Sequence, residues 1–219
     1  MAVLKWDEMG KKRFRHGISK VVLFLLEGTG ANAKWTGYAW SGVTNVTQSP
    51  DGGDAEDYYA DNILYASLRG IENLNGSIEA YDYPDKFEEC IGGAELTEGI
   101  TIRQQPKRVF CLAYREEVGN DTNPEASYDI HVIYNCTANA AELSHDTMEE
   151  SPNLEPMSFD YDSNPVPVTG HKPTSAITIH SATVTQANMT KIENKLYGTE
   201  STESELLMPD KLLELITTP

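Results

Sequence analysis

Alternation of apolar and polar residues with a period of two is the feature that most constrains this fold. Between residues 128 and 134, Ile130, Val132 and Tyr134 point to one side and Asp129 and His131 to the other, which is typical of a half-buried strand. Together with the comparable segments, this pattern predicts a mainly antiparallel β protein. The other predicted strands are Lys20–Leu26, Trp35–Trp40, Ile63–Arg69, Ser77–Tyr83, Lys107–Arg115, Met157–Tyr161 and Ala176–Ser181.

Reversals between these strands are marked by Pro, Gly, Asn and Asp, the residues that turns favour. Three such clusters are Ser49–Gly53, Gly119–Asn123 with Pro124, and Ser163–Pro165. The second lies between two long predicted strands, so we expect it to join them as a hairpin.

Helical signals are few and lie mostly near the C-terminus. Pro84–Cys90 has proline and acids in its first turn and predicts a short flanking helix. Met189, Ile192 and Leu196 recur at helical spacing and Gly198 follows as a stop signal. A second amphipathic piece covers Pro209–Ile216. We therefore expect one domain over residues 1–219, with residues 185–219 as a helical extension.

The net charge of −17 is unevenly distributed, because six of the seventeen basic residues lie in the first twenty positions. Residues 1–20 therefore predict a basic N-terminal arm ahead of an acidic body, and the body would repel nucleic acid. Residues 47–62 predict an exposed acidic loop with a Tyr58–Tyr59 pair that suits a protein contact. The candidate interface residues are Lys11, Lys12, Arg13, Arg15, Asp51, Asp54, Asp57, Tyr58 and Tyr59.

No motif for catalysis, cofactor binding or metal binding is found. Gly28–Ala33 reads G-x-G-x-x-A after an apolar strand, but the aromatic, strand-like Lys34–Trp40 follows where a dinucleotide site needs a helix. The five histidines lack zinc spacing, and the three cysteines form no C-x-x-C pair. A divalent ion in the acidic loop stays open as an alternative, although its spacing does not match an EF-hand. We expect neither a membrane span nor a secretion signal.

A series of ordered landmarks runs over almost the whole chain. Gly42–Pro50, with the sequence GVTNVTQSP, is followed by Tyr59–Asn62 and then by Ile78–Asp85. The later landmarks are Glu89–Cys90, Gln104–Gln105, Gly119–Thr122, His171–Thr174, Leu196–Gly198 and Met208–Asp210. In this order they resemble the landmarks of the major tail tube proteins of phages with long non-contractile tails.

This resemblance implies a structural virion protein with a β-sandwich or barrel-like tail tube fold, a short flanking helix and no catalysis. It implies hexameric rings that stack head to tail into a hollow tail tube for phage DNA delivery, assembled in the host cytoplasm. The implied partners are further copies of the chain, the tape measure protein, the tail terminator and the distal tail proteins, while DNA passes through the lumen without specific binding.

Strand acids are candidates to line such a lumen and repel DNA phosphates. They are Glu79, Asp129, Asp160 and Asp162. Two readings from other classes stay open: a carbohydrate- or protein-binding β-sandwich module with Trp35, Tyr38 and Trp40 as its platform, and an enzyme whose site assembles only in space.

Overall fold

The computed structural model of the chain describes residues 3–28, 33–70, 72–140, 147 and 154–217. Within them the fold is mainly β, with a large antiparallel sheet and two short helices. The strands are β1 (Arg13–Glu27), β2 (Lys34–Trp40), β3 (Val43–Val46), β4 (Ser49–Gly52), β5 (Ala55–Ala60), β6 (Ile63–Arg69), β7 (Glu72–Ala80), β8 (Ala94–Thr97), β9 (Ile100–Ile102), β10 (Phe110–Asn120), β11 (Ser127–Ala138), β12 (Met157–Ser163) and β13 (Ala176–His180). The helices are α1 (Gln186–Tyr197) and α2 (Pro209–Thr217), with a 3₁₀ helix at Asp85–Glu89.

Nine strands form the large sheet in the order β2-β1-β10-β11-β12-β7-β3, with β13 added to β11 and β4 added to β7. Its centre is the long β10–β11 hairpin, so the hairpin predicted at Gly119–Pro124 is confirmed. Asn120 Oδ1 accepts hydrogen bonds from the backbone N–H groups of Thr122, at 3.0 Å, and Asn123, at 2.7 Å. An asparagine side chain thus holds the reversal, as its turn preference predicts.

The inner face of this sheet encloses a core to which strands from β1 to β12 contribute. Leu23, Leu112, Ile133 and Phe159 are fully or almost fully buried there. Phe87 of the 3₁₀ helix fills the core, with ring centroids 4.5 Å from Trp40, 5.4 Å from Phe110 and 5.2 Å from Phe159. This β-sandwich-like arrangement matches the expected fold class.

The outer face of β1, β10 and β11 is covered by the helices. Met189, Ile192 and Leu196 of α1 are buried against it, so the helix predicted from their spacing is confirmed. Thr185 precedes α1 and its side chain accepts a hydrogen bond from the Asn188 N–H, which satisfies one free donor of the first turn. Gly198 then ends the helix with φ of +76°, a conformation that glycine adopts without strain.

Three sequence predictions need correction. Strand β11 is buried on both faces rather than one: the C-terminal helices cover the apolar face of Ile130 and Val132, and the face expected to meet solvent turns to the inner core, where Ile133 is buried. The basic arm of residues 1–20 is a free segment only up to Lys12, because β1 begins at Arg13 and pairs with β10. The acidic loop of residues 47–62 contains β4 and β5, so most of it is strand. Because the residues of β5 are exposed, its sequence lacks the alternation of apolar and polar residues that predicts a strand.

Candidate functional site: exposed hairpins and an acidic sheet face

A hairpin formed by β5 and β6 carries the most conspicuous exposed apolar surface. Its strands pair only as a separate two-stranded sheet, in which Tyr59 lies opposite Leu64. Tyr59 is 70% exposed and Leu64 is 54% exposed. The other exposed large apolar residues of the hairpin are Tyr58, Ile63, Tyr65 and Leu68. An isolated two-stranded hairpin is marginally stable in water, and clustered exposed apolar side chains mark interaction sites.

The predicted interface residues of residues 47–62 all lie on or beside this hairpin and are exposed. Asp51 is in β4, where its carboxylate accepts a hydrogen bond from Asn75 at 3.4 Å, Asp54 precedes β5, and Asp57 is in β5. The Tyr58 hydroxyl donates to Glu56 Oε2 at 2.8 Å, and this hydrogen bond raises the pKa of Tyr58. The hairpin therefore presents apolar side chains beside carboxylates.

The predicted basic interface residues lie in the N-terminal arm, the second segment that was expected to contact a neighbouring copy. Lys11 forms an ion pair with Glu8, and Lys12 lies 3.7 Å from Asp7, so both cations have carboxylates nearby in sequence. Arg13 is exposed at the start of β1, opposite Asn120. Arg15 forms ion pairs with Glu116 and Asp129 of the same chain. The arm is thus less cationic towards a partner than its composition suggests.

Three of the four carboxylates predicted to line a lumen lie on one face of the sheet, and the fourth does not. Glu79 lies in β7 opposite Ser158 of β12, while Asp160 and Asp162 of β12 lie opposite Ser77 and Asn75. These side chains share the face that points away from the inner core, because Phe159 and Tyr161 alternate with them and are buried. The outer face of β7 and β12 is therefore polar and acidic.

Asp129 is the exception, because it is only 1% exposed and does not offer its carboxylate to a lumen. Its Oδ2 lies 2.8 Å from Arg15 Nη1, and its Oδ1 lies 2.9 Å from His180 Nδ1. The same Arg15 nitrogen lies 2.7 Å from Glu116 Oε2. The prediction fails because the alternation puts Asp129 on the inner face of β11, where a cation from β1 compensates its charge.

This charge cluster was not recognised from sequence, since its members come from four strands. His131 joins it, with Nε2 3.3 Å from Glu116, Nδ1 3.1 Å from the Thr178 hydroxyl, and its ring stacked on Tyr114. Burial lowers the pKa of His131, although Glu116 opposes that effect. Glu116, Asp129 and His131 form the one group among the described residues with ligand atoms close enough to hold a metal ion. Arg15 already supplies the cation there.

The three cysteine thiols do not suit nucleophilic catalysis. Cys90, Cys111 and Cys136 are buried and unpaired, and burial raises the pKa of Cys90 and of Cys111 to about 12. A buried thiol with a raised pKa is a poor nucleophile. These cysteines serve as small apolar core residues.

The aromatic platform of the ligand-binding alternative is not formed. Trp40 is 3% exposed and its indole N–H donates to the Asp82 carbonyl at 2.8 Å. Tyr38 packs with Trp40 on the inner core, whereas Trp35 packs on the outer core. The three rings therefore lie on opposite faces of β2. The G-x-G-x-x-A segment lies mainly outside the described residues, and the strand-like residues after it form β2, which pairs with β1.

A smaller hairpin, β8–β9, lies beside the 3₁₀ helix and also exposes apolar side chains, among them Leu96 and Ile100. Between this hairpin and the 3₁₀ helix lies a groove of about 520 Å³, which we call the acidic groove. Its charged lining residues are Asp82, Asp85, Lys86, Glu88, Glu89 and Glu95. None of the residues predicted to form an interface lines this groove.

Comparison with protein-family models and with curated proteins finds no match to this chain. No helix within the described ranges is both long and apolar enough to cross a membrane.

Proposed function

We propose that this protein is a structural subunit that assembles with further copies of itself into a hollow tube, the major tail tube protein of a phage with a long non-contractile tail. The observation that carries the proposal is the β5–β6 hairpin, a separate two-stranded sheet with exposed apolar residues on both strands. Such a hairpin gains stability when a neighbouring subunit covers it. The sequence landmarks that resemble this family support the identity proposed for the assembly.

The acidic outer face of β7 and β12 supports a role as the wall of a DNA conduit. Glu79, Asp160 and Asp162 lie on one uncovered sheet face, and the chain carries a net charge of −17. Carboxylates repel phosphates, so DNA would pass such a wall without being held. In this proposal the hexameric rings stack head to tail in the virion tail, after assembly in the host cytoplasm with the tape measure, terminator and distal tail proteins.

A non-enzymatic role fits the described chemistry, since the buried thiols are unreactive and the charge cluster around Asp129 is compensated by Arg15. The alternative of a carbohydrate- or protein-binding module loses its proposed platform, because Trp40 is part of the core. Self-assembly separates the two proposals.

Negative-stain electron microscopy of the purified protein over a concentration series tests the function directly. Rings or hollow tubes are expected at high protein concentration, and a variant with the β5–β6 hairpin replaced by a short glycine-serine turn should stay dispersed. Circular dichroism of the variant must match the parent chain after allowance for the two missing strands. A wild-type protein that remains dispersed at every concentration, including with tube ends added as nuclei, contradicts the proposal.

A further inference from the structure

Two exposed surfaces of complementary character lie at opposite ends of strand β10. At the Asn120 end lies the N-terminal segment, residues 3–12, which is held by a hydrogen bond from the Gly10 N–H to Asp121 Oδ1 at 2.8 Å. At the Phe110 end lies the acidic groove, which is fixed to the strand by the ion pair between Arg108 and Glu89. A strand of 11 residues separates two such ends by about 30 Å.

The N-terminal segment exposes apolar side chains that nothing in the described chain covers. Met9 is 85% exposed, and Val3, Leu4 and Trp6 are also largely exposed. With Arg13, the segment carries four cationic side chains against two carboxylates, Asp7 and Glu8, which pair with its lysines, so a net charge of +2 remains. A short peptide that is both apolar and cationic fits an acidic surface with apolar patches.

The acidic groove has that character. It is lined by five carboxylates and one lysine. Glu88 and Glu89 already have arginine partners, Arg103 and Arg108. Asp82, Asp85 and Glu95 have no cationic partner within 4.0 Å in the part of the chain that the structure describes. The apolar contribution comes from Tyr83 and Ile100 in the lining and from the exposed Leu96 beside it.

We infer that the N-terminal segment of one copy binds in the acidic groove of the next copy. In a single chain residues 3–12 do not line the groove, because Gly10 is held at the far end of β10. The contact is therefore between different surfaces of two copies. Such a contact repeats without closing, which is what stacking along an axis requires.

This inference deepens the proposed function and rests on it, because it names the surfaces that join successive subunits along the tube. It assigns the contact to a groove formed by the 3₁₀ helix and the β8–β9 hairpin, not to the acidic segment of residues 47–62. The β5–β6 hairpin then remains available for a separate contact. The two assignments are independent in their tests.

Thiol crosslinking between copies tests the contact. A Met9→Cys, Leu96→Cys double variant places one accessible thiol on each surface, while the native cysteines are buried. A short bifunctional thiol reagent should give a ladder of linear oligomers from the double variant and no product beyond a dimer from either single variant. A double variant that forms no longer products than the single variants overturns the inference.

Charge reversal provides the second test. Asp85→Lys with Glu95→Lys in the groove should weaken self-association about 10- to 100-fold, since attraction becomes repulsion at several positions. Lys11→Glu with Lys12→Glu should do the same, and all four changes in one chain should recover most of the loss. Glu200→Lys, at an exposed site that belongs to neither surface, is the matched control. Equal weakening without recovery overturns the inference.

Imaging of the same samples separates this inference from the proposed function. Tubes without the crosslinked ladder contradict the groove contact and leave the tube function standing. A ladder without rings or tubes supports the contact and contradicts the tube function. The absence of both contradicts both.

Discussion

Replacement of one exposed cross-strand pair in the β5–β6 hairpin should separate assembly from folding. Tyr59 and Leu64 lie opposite each other and are 70% and 54% exposed, so they contribute little to the fold of a single chain. Tyr59→Thr with Leu64→Thr introduces β-branched threonines, which suit strands. We expect the free energy of unfolding of the monomer to change by less than about 1 kcal/mol, as is usual at exposed sites.

The effect on assembly should be much larger. A tyrosine contributes roughly 200 Å² when covered, so the exposed part of Tyr59 represents about 3 kcal/mol at ~25 cal/mol per Å², and Leu64 adds about 1 kcal/mol. The threonines retain part of this area and ordering of side chains opposes it, so a net loss of about 2–4 kcal/mol per contact is expected. That loss corresponds to a rise of about 30- to 1,000-fold in the concentration at which assemblies form.

Sedimentation velocity across a protein concentration series measures that threshold, and urea unfolding of the dilute monomer measures stability. Leu154→Thr is the matched control, because Leu154 is comparably exposed but lies outside the hairpin. The reasoning is refuted if the double variant assembles at the same concentration as the parent chain. It is also refuted if the monomer loses several kcal/mol, because the hairpin would then belong to the core.

Two further predictions concern the fold itself. Phe87→Ala removes the ring at the centre of the inner core and should lower the free energy of unfolding by about 3–5 kcal/mol, whereas Phe87→Leu should cost clearly less; equal urea midpoints would contradict this. Because burial lowers the pKa of His131, its unfolded state binds the proton more readily, so acidification below about pH 6.5 should destabilise the fold. His131→Gln should reduce the loss of stability between pH 7 and pH 5, and an unchanged loss would assign it to other groups.

The fold class follows from sequence because alternation and turn residues are local properties. The β10–β11 hairpin was predicted from Gly119–Pro124, and α1 was predicted from the spacing of Met189, Ile192 and Leu196. Strand β5 was missed because its residues are exposed, and a strand without a buried face lacks the alternation that identifies one.

The position of a charged residue could be predicted from sequence where that residue is also exposed in the structure. Glu79, Asp160 and Asp162 share one sheet face, as polar residues alternating with buried ones should. Asp129 has the same local pattern, yet it is buried, because Arg15 approaches from a strand more than 100 residues away in sequence. A compensating charge from a distant strand leaves no local trace.

The sequence by itself determined a mainly antiparallel β chain with a C-terminal helical extension and a large negative charge. Only the tertiary structure decided which face of each strand meets the helices, which carboxylates are compensated, and that the N-terminal segment and the acidic groove lie at opposite ends of β10. The physical reason is that periodicity distinguishes the two faces of a strand but does not say what covers either face. Packing between elements distant in sequence decides that.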